Sequence, residues 1–201
     1  FTRDPFPSAA ARRANLDRLR KAVIARQDEI ARAISEDFSG RHRMEVLFSE
    51  VLVSVNALAH ARKHVARWME RRDAPVGWPL QPARAYVLPQ PLGVVGIISP
   101  WNYPLYLTAG PLASALAAGN RVMMKLSEHT PATSQLMASI LGGLFDPDQV
   151  AVVNGNTEVA QSFSRLSLDH LLFTGSIATG RQVMRAAADN LTPVTLELGG
   201  K

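Results

Sequence analysis

A side-chain amide lies between two prolines in the segment Pro100-Trp101-Asn102-Tyr103-Pro104. Proline fixes its own φ angle and restricts the residue before it, so the backbone around Asn102 has few conformations available. An amide held in this way could donate a hydrogen bond to an oxygen that becomes negative in a transition state. The alternative is a turn-forming asparagine, which these residue types taken alone favour.

A lysine and a glutamate lie three residues apart at the end of an apolar run. Lys125 ends the run, and Glu128 comes just before a helix that we expect to begin near Pro131. A sugar diol can be held by such a pair, because the amine donates hydrogen bonds and the carboxylate accepts them. The alternative is that Glu128 only stabilises the N-terminus of the helix through its macrodipole.

A turn of small residues follows Phe173. Gly175 and Ser176 open a predicted helix there, with Gly180 one turn later. Backbone amides and a hydroxyl at a helix N-terminus can bind a diphosphate. The Gly-x-Gly-x-x-Gly fingerprint of dinucleotide-binding proteins does not occur in the chain, and the alternative is a turn that binds no ligand.

A carboxylate interrupts an apolar run at Glu197, between Leu196 and Leu198 and directly before two glycines. We expect burial to raise the pKa of Glu197 toward the range of a general base, while the glycines leave room for water or substrate. The alternative is a buried, paired glutamate with a structural role.

Thiol and metal chemistry have little support in the sequence. The chain contains no cysteine, so it has neither a disulfide nor a thiol nucleophile. His60 and His64 are four residues apart, as two metal ligands on a helix can be, but no third ligand is near them in the sequence. We therefore predict no metal site.

Two long helices are predicted before the candidate residues. Apolar residues recur at helical spacing over 8–37 and again over 45–71, so each segment predicts an amphipathic helix that packs on something else. Five prolines between 75 and 91 then exclude a helix and indicate a surface connector. Within it, residues 84–88 could form an edge strand or one arm of a hairpin.

From residue 93 onward, short β-branched runs alternate with helical patterns. Strands are predicted over 94–98, 121–125, 150–153, 169–173 and 194–198, with helices over 105–118, 131–141, 157–165 and 177–188. The fold class is therefore α/β, a Rossmann-like parallel sheet with helices on both faces, preceded by the two long helices. The predicted organisation is a helical segment over 1–74, a connector over 75–92 and a nucleotide-binding domain over 93–201.

Ligands of such sheets bind beyond the carboxyl ends of the strands. The segments there are 99–102, 126–128, 154–156, 174–176 and 199–201, so we expect them to converge in one crevice. Every candidate side chain described above, from Asn102 to Glu197, lies in one of these segments or beside it.

The charge and hydropathy argue against other partners. The net charge is +5, but the positive excess lies before residue 73, where arginines alternate with acidic and apolar residues, as on a solvated helix face. We predict no nucleic-acid partner. The apolar stretch over 105–118 is too short to span a bilayer, and no secretory signal opens the chain, which predicts no membrane partner and a cytoplasmic location.

Four segments, in this order, resemble the aldehyde dehydrogenase superfamily. They are Pro-Trp-Asn-Tyr-Pro at 100–104, Lys-Leu-Ser-Glu at 125–128, Phe-Thr-Gly-Ser at 173–176 and Leu-Glu-Leu-Gly-Gly-Lys at 196–201. The resemblance spans the whole chain. The segments Pro-Ala-Arg-Ala-Tyr-Val at 82–87 and Gln-Pro-Leu-Gly-Val-Val-Gly-Ile-Ile at 90–98 are most similar to the coniferyl aldehyde dehydrogenase branch, among the short class 3-like members.

The resemblance implies a role for each candidate residue. Asn102 would be the oxyanion donor, Glu197 would activate the water, and Ser176 would contact the cofactor diphosphate. Trp101, Lys125 and Glu128 would line the adenosine ribose. The remaining cofactor-binding positions would be Ser99, Pro100, Ser127, Gly155, Thr174, Gly175, Leu198 and Gly199. The cofactor would be NAD or NADP, with NAD favoured because the Glu128 carboxylate repels a 2′-phosphate.

The implied reaction is oxidation of an aldehyde, aromatic in the coniferyl branch, to the carboxylic acid through a cysteine thiohemiacetal and thioester. In the family that cysteine lies downstream of the Leu-Glu-Leu-Gly-Gly-Lys motif, so a polypeptide of these 201 residues alone is predicted to be inactive. The family also implies a homodimer. Two alternatives remain: an acyl-phosphate or acyl-CoA reductase on the same scaffold, which needs no water-activating base, and a nucleotide-binding module without catalysis.

Overall fold

The computed structural model describes residues 1–199 of the chain. Its first part consists of helices. They are α1 (Ala9–Ala25), α2 (Gln27–Asp37), α3 (Arg43–Val46), a π-helical segment (Leu47–Leu52) and α4 (Val53–Trp68). The last three follow one another without a break and form one long helical rod.

The prediction of one continuous helix over 8–37 is wrong. The backbone leaves the helical conformation at Arg26, with φ −106° and ψ 18°. The break lets the two halves of the apolar stripe reach different partners, because α1 packs on α4 while α2 packs on a later helix, α6 (Pro131–Leu144).

The rod over 43–68 bears on the prediction that the protein has no membrane partner. By length and composition, Arg43–Trp68 could cross a membrane, with a mean hydropathy of 1.3 over its most apolar window. The prediction of no membrane partner rests on the shorter stretch over 105–118. Core helices of soluble proteins can pass the same test, and Leu58, Ala61 and Val65 of this rod are buried in the core, while 33 % of the apolar window is buried in all.

The connector contains a small two-stranded sheet. Strand β1 (Arg72–Ala74) pairs antiparallel with β2 (Ala85–Val87), with Arg72 opposite Val87. A short 3-10 helix (Trp78–Leu80) lies between them. The hairpin arm predicted over 84–88 is therefore present, although its partner begins inside the segment that had been assigned to the helical region.

The main sheet has five parallel strands, each followed by a helix except the last. The elements are β3 (Val94–Ile98), α5 (Tyr106–Ala118), β4 (Arg121–Lys125), α6, β5 (Val150–Val153), α7 (Thr157–Phe163), β6 (His170–Ser176), α8 (Ile177–Ala188) and β7 (Val194–Gly199). The strand order is β5-β4-β3-β6-β7. This confirms the predicted parallel sheet with helices on both faces.

Two apolar cores lie on the two faces of the sheet. The larger one joins Val95 and Ile97 of β3 to α5, α6 and the N-terminal helices, and the smaller one joins Ile98 and Phe173 to α7 and α8. Strands β4 and β5 lie on one side of β3, and β6 and β7 lie on the other, so the strand order reverses at the boundary between β3 and β6. The loops after these two strands therefore diverge and leave a crevice at the carboxyl edge.

Candidate functional site

A cleft of about 690 Å³ opens at the carboxyl ends of β3, β4, β6 and β7. Its volume is in the range of small-molecule and cofactor sites. The structure brings together here all of the residues proposed from the sequence except Gly155: Ser99, Pro100, Trp101, Asn102, Lys125, Ser127, Glu128, Thr174, Gly175, Ser176, Glu197, Leu198 and Gly199.

Gly155 does not line the cleft in the structure. It lies in the turn before α7, where an added Cβ would meet the side chain of Val159. The next residue, Asn156, caps α7 by accepting a hydrogen bond from the Val159 amide at 3.2 Å. Two residues of α7, Thr157 and Ala160, do reach the cleft, and neither was proposed from the sequence.

The amide of Asn102 is oriented by the backbone around it. Its Oδ1 accepts a hydrogen bond from the Tyr103 amide at 3.1 Å. Its main-chain carbonyl accepts two more from the guanidinium of Arg41, both at 3.1 Å. Because Oδ1 already accepts a hydrogen bond from the chain, the Nδ2 end of the side chain is the part that can donate to a ligand.

Arg41 is in turn held by a buried glutamate. Glu50 is fully buried, and its carboxylate accepts hydrogen bonds from Arg41 at 3.2 Å and from the amides of Leu105 and Tyr106 at 2.7 and 3.2 Å. Burial raises the pKa of Glu50, although the two amides and the charge of Arg41 oppose the shift. In the sequence, Glu50 is a charged residue beside the apolar Val51. Apolar periodicity alone did not predict that position 50 is buried.

Lys125 and Glu128 form the pair that their spacing suggested. Lys125 is only 1 % exposed, and its Nζ donates to Oε2 of Glu128. Oε1 of Glu128 accepts from the hydroxyl of Thr157 at 3.2 Å. Partial burial works against the ionised form of Glu128, but the hydrogen bonds from Lys125, from its own amide and from Thr157 outweigh it, so its pKa lies below the usual value.

The N-terminus of α8 faces the cleft. Ser176 caps this helix: its Oγ accepts from the Thr179 amide at 3.2 Å and lies 3.0 Å from the Thr179 hydroxyl. At Gly175 an added Cβ would lie 2.5 Å from the ring of Phe173, so the turn needs a glycine. Helix amides that open onto a cleft in this way suit an anionic group.

A buried hydroxyl gives a separate indication of a polar ligand. Ser99 is 6 % exposed, and its Oγ has no hydrogen-bond partner among residues 1–199. Ser99 lines the cleft, and its amide donates to the carbonyl of Lys125. A buried polar atom without a partner costs free energy, which a ligand hydroxyl or phosphate could recover.

Glu197 is exposed, and the expectation of burial is wrong. It lies on β7, which is an edge strand of the sheet over the described residues, so this strand is paired on one side only, with β6. In register it lies opposite Thr174 of β6. It lines the cleft that contains Asn102 and also an apolar groove of about 480 Å³ on the α5 face of the sheet.

A second pocket adjoins the cleft between α7 and α8. It has a volume of about 550 Å³ and shares Ile98, Thr157 and Thr179 with the cleft. Ala160, Val183 and Ala186 line its helix faces. No sequence pattern had predicted this pocket. Within residues 1–199 there is no group of three or more metal-ligating side chains.

Known proteins share this sequence over their first part. The chain is 52 % identical over 201 residues to a protein named "Probable coniferyl aldehyde dehydrogenase" from Pseudomonas aeruginosa, covering 100 % of this chain and 42 % of that protein. It is 48 % identical over 190 residues to the coniferyl aldehyde dehydrogenase of a Pseudomonas species, covering 94 % and 39 %. The chain thus spans about two-fifths of the length of these relatives.

Solved structures show the same arrangement. A Staphylococcus aureus AldH in a substrate-bound state matches with a TM-score of 0.93 and 33 % identity, covering 96 % of this chain and 42 % of that one. A Bacillus cereus aldehyde dehydrogenase solved as an NAD+ complex matches with a TM-score of 0.86 and 27 % identity, covering 97 % and 39 %. The aldehyde dehydrogenase family model matches residues 7–201, and the chain belongs to the aldehyde dehydrogenase family.

Proposed function

We propose that these residues form the cofactor cleft, the oxyanion donor and the water-activating carboxylate of an NAD(P)-dependent aldehyde dehydrogenase. The observation that carries the proposal is the shared cleft, in which Asn102 and Glu197 lie together with the Lys125–Glu128 pair. An amide that donates to the oxyanion and a carboxylate that activates water are two of the groups that oxidation of an aldehyde to an acid uses.

The residues present fit a dinucleotide. The orphan hydroxyl of Ser99, the N-terminus of α8 and the Lys125–Glu128 pair offer partners for phosphates and a ribose. The pocket between α7 and α8 has room for a flat base. When bound, NAD(P)+ supplies the hydride acceptor. NAD is the favoured form, because the Glu128 carboxylate would repel a 2′-phosphate.

The chain's own side chains have two chemical roles in this proposal. The Nδ2 of Asn102 donates to the aldehyde oxygen as that oxygen gains negative charge. The carboxylate of Glu197 removes a proton from the water that releases the acid, and its exposure in the cleft gives water access to it. The thiol nucleophile must come from outside these 201 residues, which contain no cysteine. A polypeptide of these residues alone is therefore expected to be inactive.

The finer assignments rest on the relatives and on surface features. The names of the relatives support an aromatic, coniferyl-like aldehyde as the substrate. A homodimer is supported by the apolar side chains that the β1–β2 ribbon exposes, Tyr86, Val87 and Leu88. A cytoplasmic location and a domain that begins near residue 93 stay predictions.

The test uses the full-length protein and rapid-mixing measurement of reduced cofactor. Glu197→Gln should still produce one equivalent of reduced cofactor in a burst, while the steady-state rate falls about 10²-fold or more, because the hydrolytic water has lost its base. Asn102→Ala should slow the burst itself by about 10²-fold.

Glu158→Gln is the matched control, since Glu158 is an exposed carboxylate on α7 that does not line the cleft. Wild-type turnover by Glu197→Gln would remove the water-activating role. Wild-type burst kinetics of Asn102→Ala would remove the oxyanion role and, with it, the proposed reaction.

A further inference from the structure

The segment that runs from Asp37, the last residue of α2, to Arg41 touches two loops of the cleft without lining the cleft itself. One loop follows β3 and carries Trp101 and Asn102. The other follows β4, carries Glu128 and leads into α6. The segment 37–41 lies about 60 to 100 residues earlier in the chain than either loop, so its contacts with them are tertiary contacts set by the fold.

Its first residue, Asp37, caps α6. The carboxylate accepts hydrogen bonds from the amides of Ala132 and Thr133 at 3.0 and 2.8 Å and from the Thr133 hydroxyl at 2.6 Å. The residue at the N-cap position of α6, Thr130, makes no side-chain capping bond. The start of α6, and therefore the end of the loop with Glu128, is anchored from α2.

Phe38 and Arg41, toward the other end of the segment 37–41, contact the loop that carries Asn102. The ring of Phe38 stacks on Trp101, with centroids 6.1 Å apart and an interplanar angle of 28°. The Arg41 guanidinium lies 3.5 Å from the centroid of the Phe38 ring. From there Arg41 donates two hydrogen bonds to the carbonyl of Asn102 and one to the buried Glu50.

The backbone between these ends has a fixed shape. Ser39 has φ 54° and Gly40 has φ 113°, both in the left-handed region, and the Gly40 amide donates to the carbonyl of Ser35 at 2.8 Å. This tight turn sets the distance between Asp37 and Arg41. An added Cβ at Gly40 would meet nothing within 4 Å, so only the backbone conformation demands glycine.

We infer that residues 37–41 are a positioning strut, which fixes the oxyanion-donor loop through Arg41 and the ribose-binding loop through Asp37. The inference rests on the proposed function. Arg41 acts through Asn102, because its bidentate hydrogen bond sets the position of the main chain from which the amide projects. Asp37 acts through the first turn of α6.

The two ends of the strut predict different kinetic effects in the full-length protein. Arg41→Lys retains the positive charge beside Glu50 but loses the forked pair of hydrogen bonds to Asn102. Its burst rate should fall about tenfold while the Kd for NAD+ changes less than about twofold, since a small displacement of a reacting group is enough for such a loss. Asp37→Ala should instead raise the Kd for NAD+ about fivefold.

A double-mutant cycle shows whether Arg41 acts through Asn102. Combined with Asn102→Ala, Arg41→Lys should have no further effect on the burst rate, because the amide that it positions is gone. Arg43→Lys is the control, since Arg43 is an exposed arginine two residues away that pairs with Asp28 and contacts neither loop. Thermal unfolding of each variant checks that the fold persists.

The inference is overturned if Arg41→Lys keeps the wild-type burst rate, or slows the burst equally with and without Asn102. It is also overturned if Asp37→Ala leaves the Kd for NAD+ unchanged. These outcomes leave the proposed function intact as long as Asn102→Ala alone slows the burst. A normal burst in Asn102→Ala contradicts the proposed function itself.

Discussion

One buried charged residue, Glu50, can contribute more to the free energy of unfolding than several exposed ones. Its carboxylate contacts two helix amides and one guanidinium, so a charge is held inside the protein by three donors. Removing one partner of such a group leaves a buried charge partly uncompensated, which is strongly destabilising. The exposed pair Arg71–Asp73, by contrast, contributes little, because water screens both charges.

The raised pKa of Glu50 predicts a pH dependence of folding. Because its pKa is higher in the folded chain than in the unfolded one, the folded state binds more protons in the window from the usual 4.5 up to the raised value. Stability contributed by the protonated form is present below that window and is lost as the pH rises through it. Glu50→Gln should remove this loss, so its free energy of unfolding should fall less with pH.

Urea unfolding at a series of pH values measures this slope. Glu36→Gln is the control, because Glu36 is exposed on α2 and makes no ion pair among the described residues. An identical pH slope for wild type and Glu50→Gln would contradict the prediction.

Residue types and local spacing were enough to find most cleft residues, because each follows a strand in a recognisable pattern. Lys125 and Glu128 lie three residues apart, and their contact could be foreseen. Arg41 and Glu50 could not be found in this way, since their partners lie 61 and 55 residues further on. The burial of Glu197 was misjudged because the sequence shows apolar neighbours but not whether a strand lies at an edge.

At the scale of elements, helix ends are where the chain prepares the site. Both α6 and α8 begin at the cleft, but their N-termini are capped differently. Ser176 caps α8 itself, whereas α6 depends on Asp37 from another helix. The existence of these helices was predictable from apolar periodicity. Their distant caps, and the break at Arg26, depend on tertiary packing that periodicity does not contain.

The difference in capping predicts a difference in stability. Ser176→Ala should lower the free energy of unfolding by about 1 kcal/mol, the usual cost of losing an N-cap side chain. Thr130→Val should not lower it and is expected to raise it, because valine removes a hydroxyl that is buried without a hydrogen-bond partner in the described part of the chain. Urea unfolding of the two variants measures both effects, and a larger loss for Thr130→Val would contradict the assignment of the caps.

For the whole molecule, the sheet is covered unevenly. On the α5 side, β3 and β4 are buried under helices, but β6 and β7 border an open apolar groove lined by Leu92, Ile97, Leu107, Pro111 and Leu172. The relatives are more than twice as long as this chain. The helices and sheet of the described residues form a packed core with one apolar face uncovered, and β7 lies at one of the two edges of the sheet.

An uncovered edge predicts self-association of a polypeptide made of these 201 residues. Among residues 1–199, β7 pairs only with β6, so its outer edge offers backbone groups to another strand, and Leu198 on this strand is 40 % exposed. Sedimentation velocity should show dimers or larger species whose share grows with concentration.

Thr195→Lys, at an exposed position on β7, should shift the distribution toward monomer, because a lysine on an edge strand opposes pairing. Ser167→Lys adds the same charge at an exposed loop position away from the edge, so it separates the effect of edge pairing from that of net charge. If both lysine variants shift the distribution equally, general charge repulsion rather than pairing at β7 controls association, because only Thr195→Lys places its charge on the strand edge.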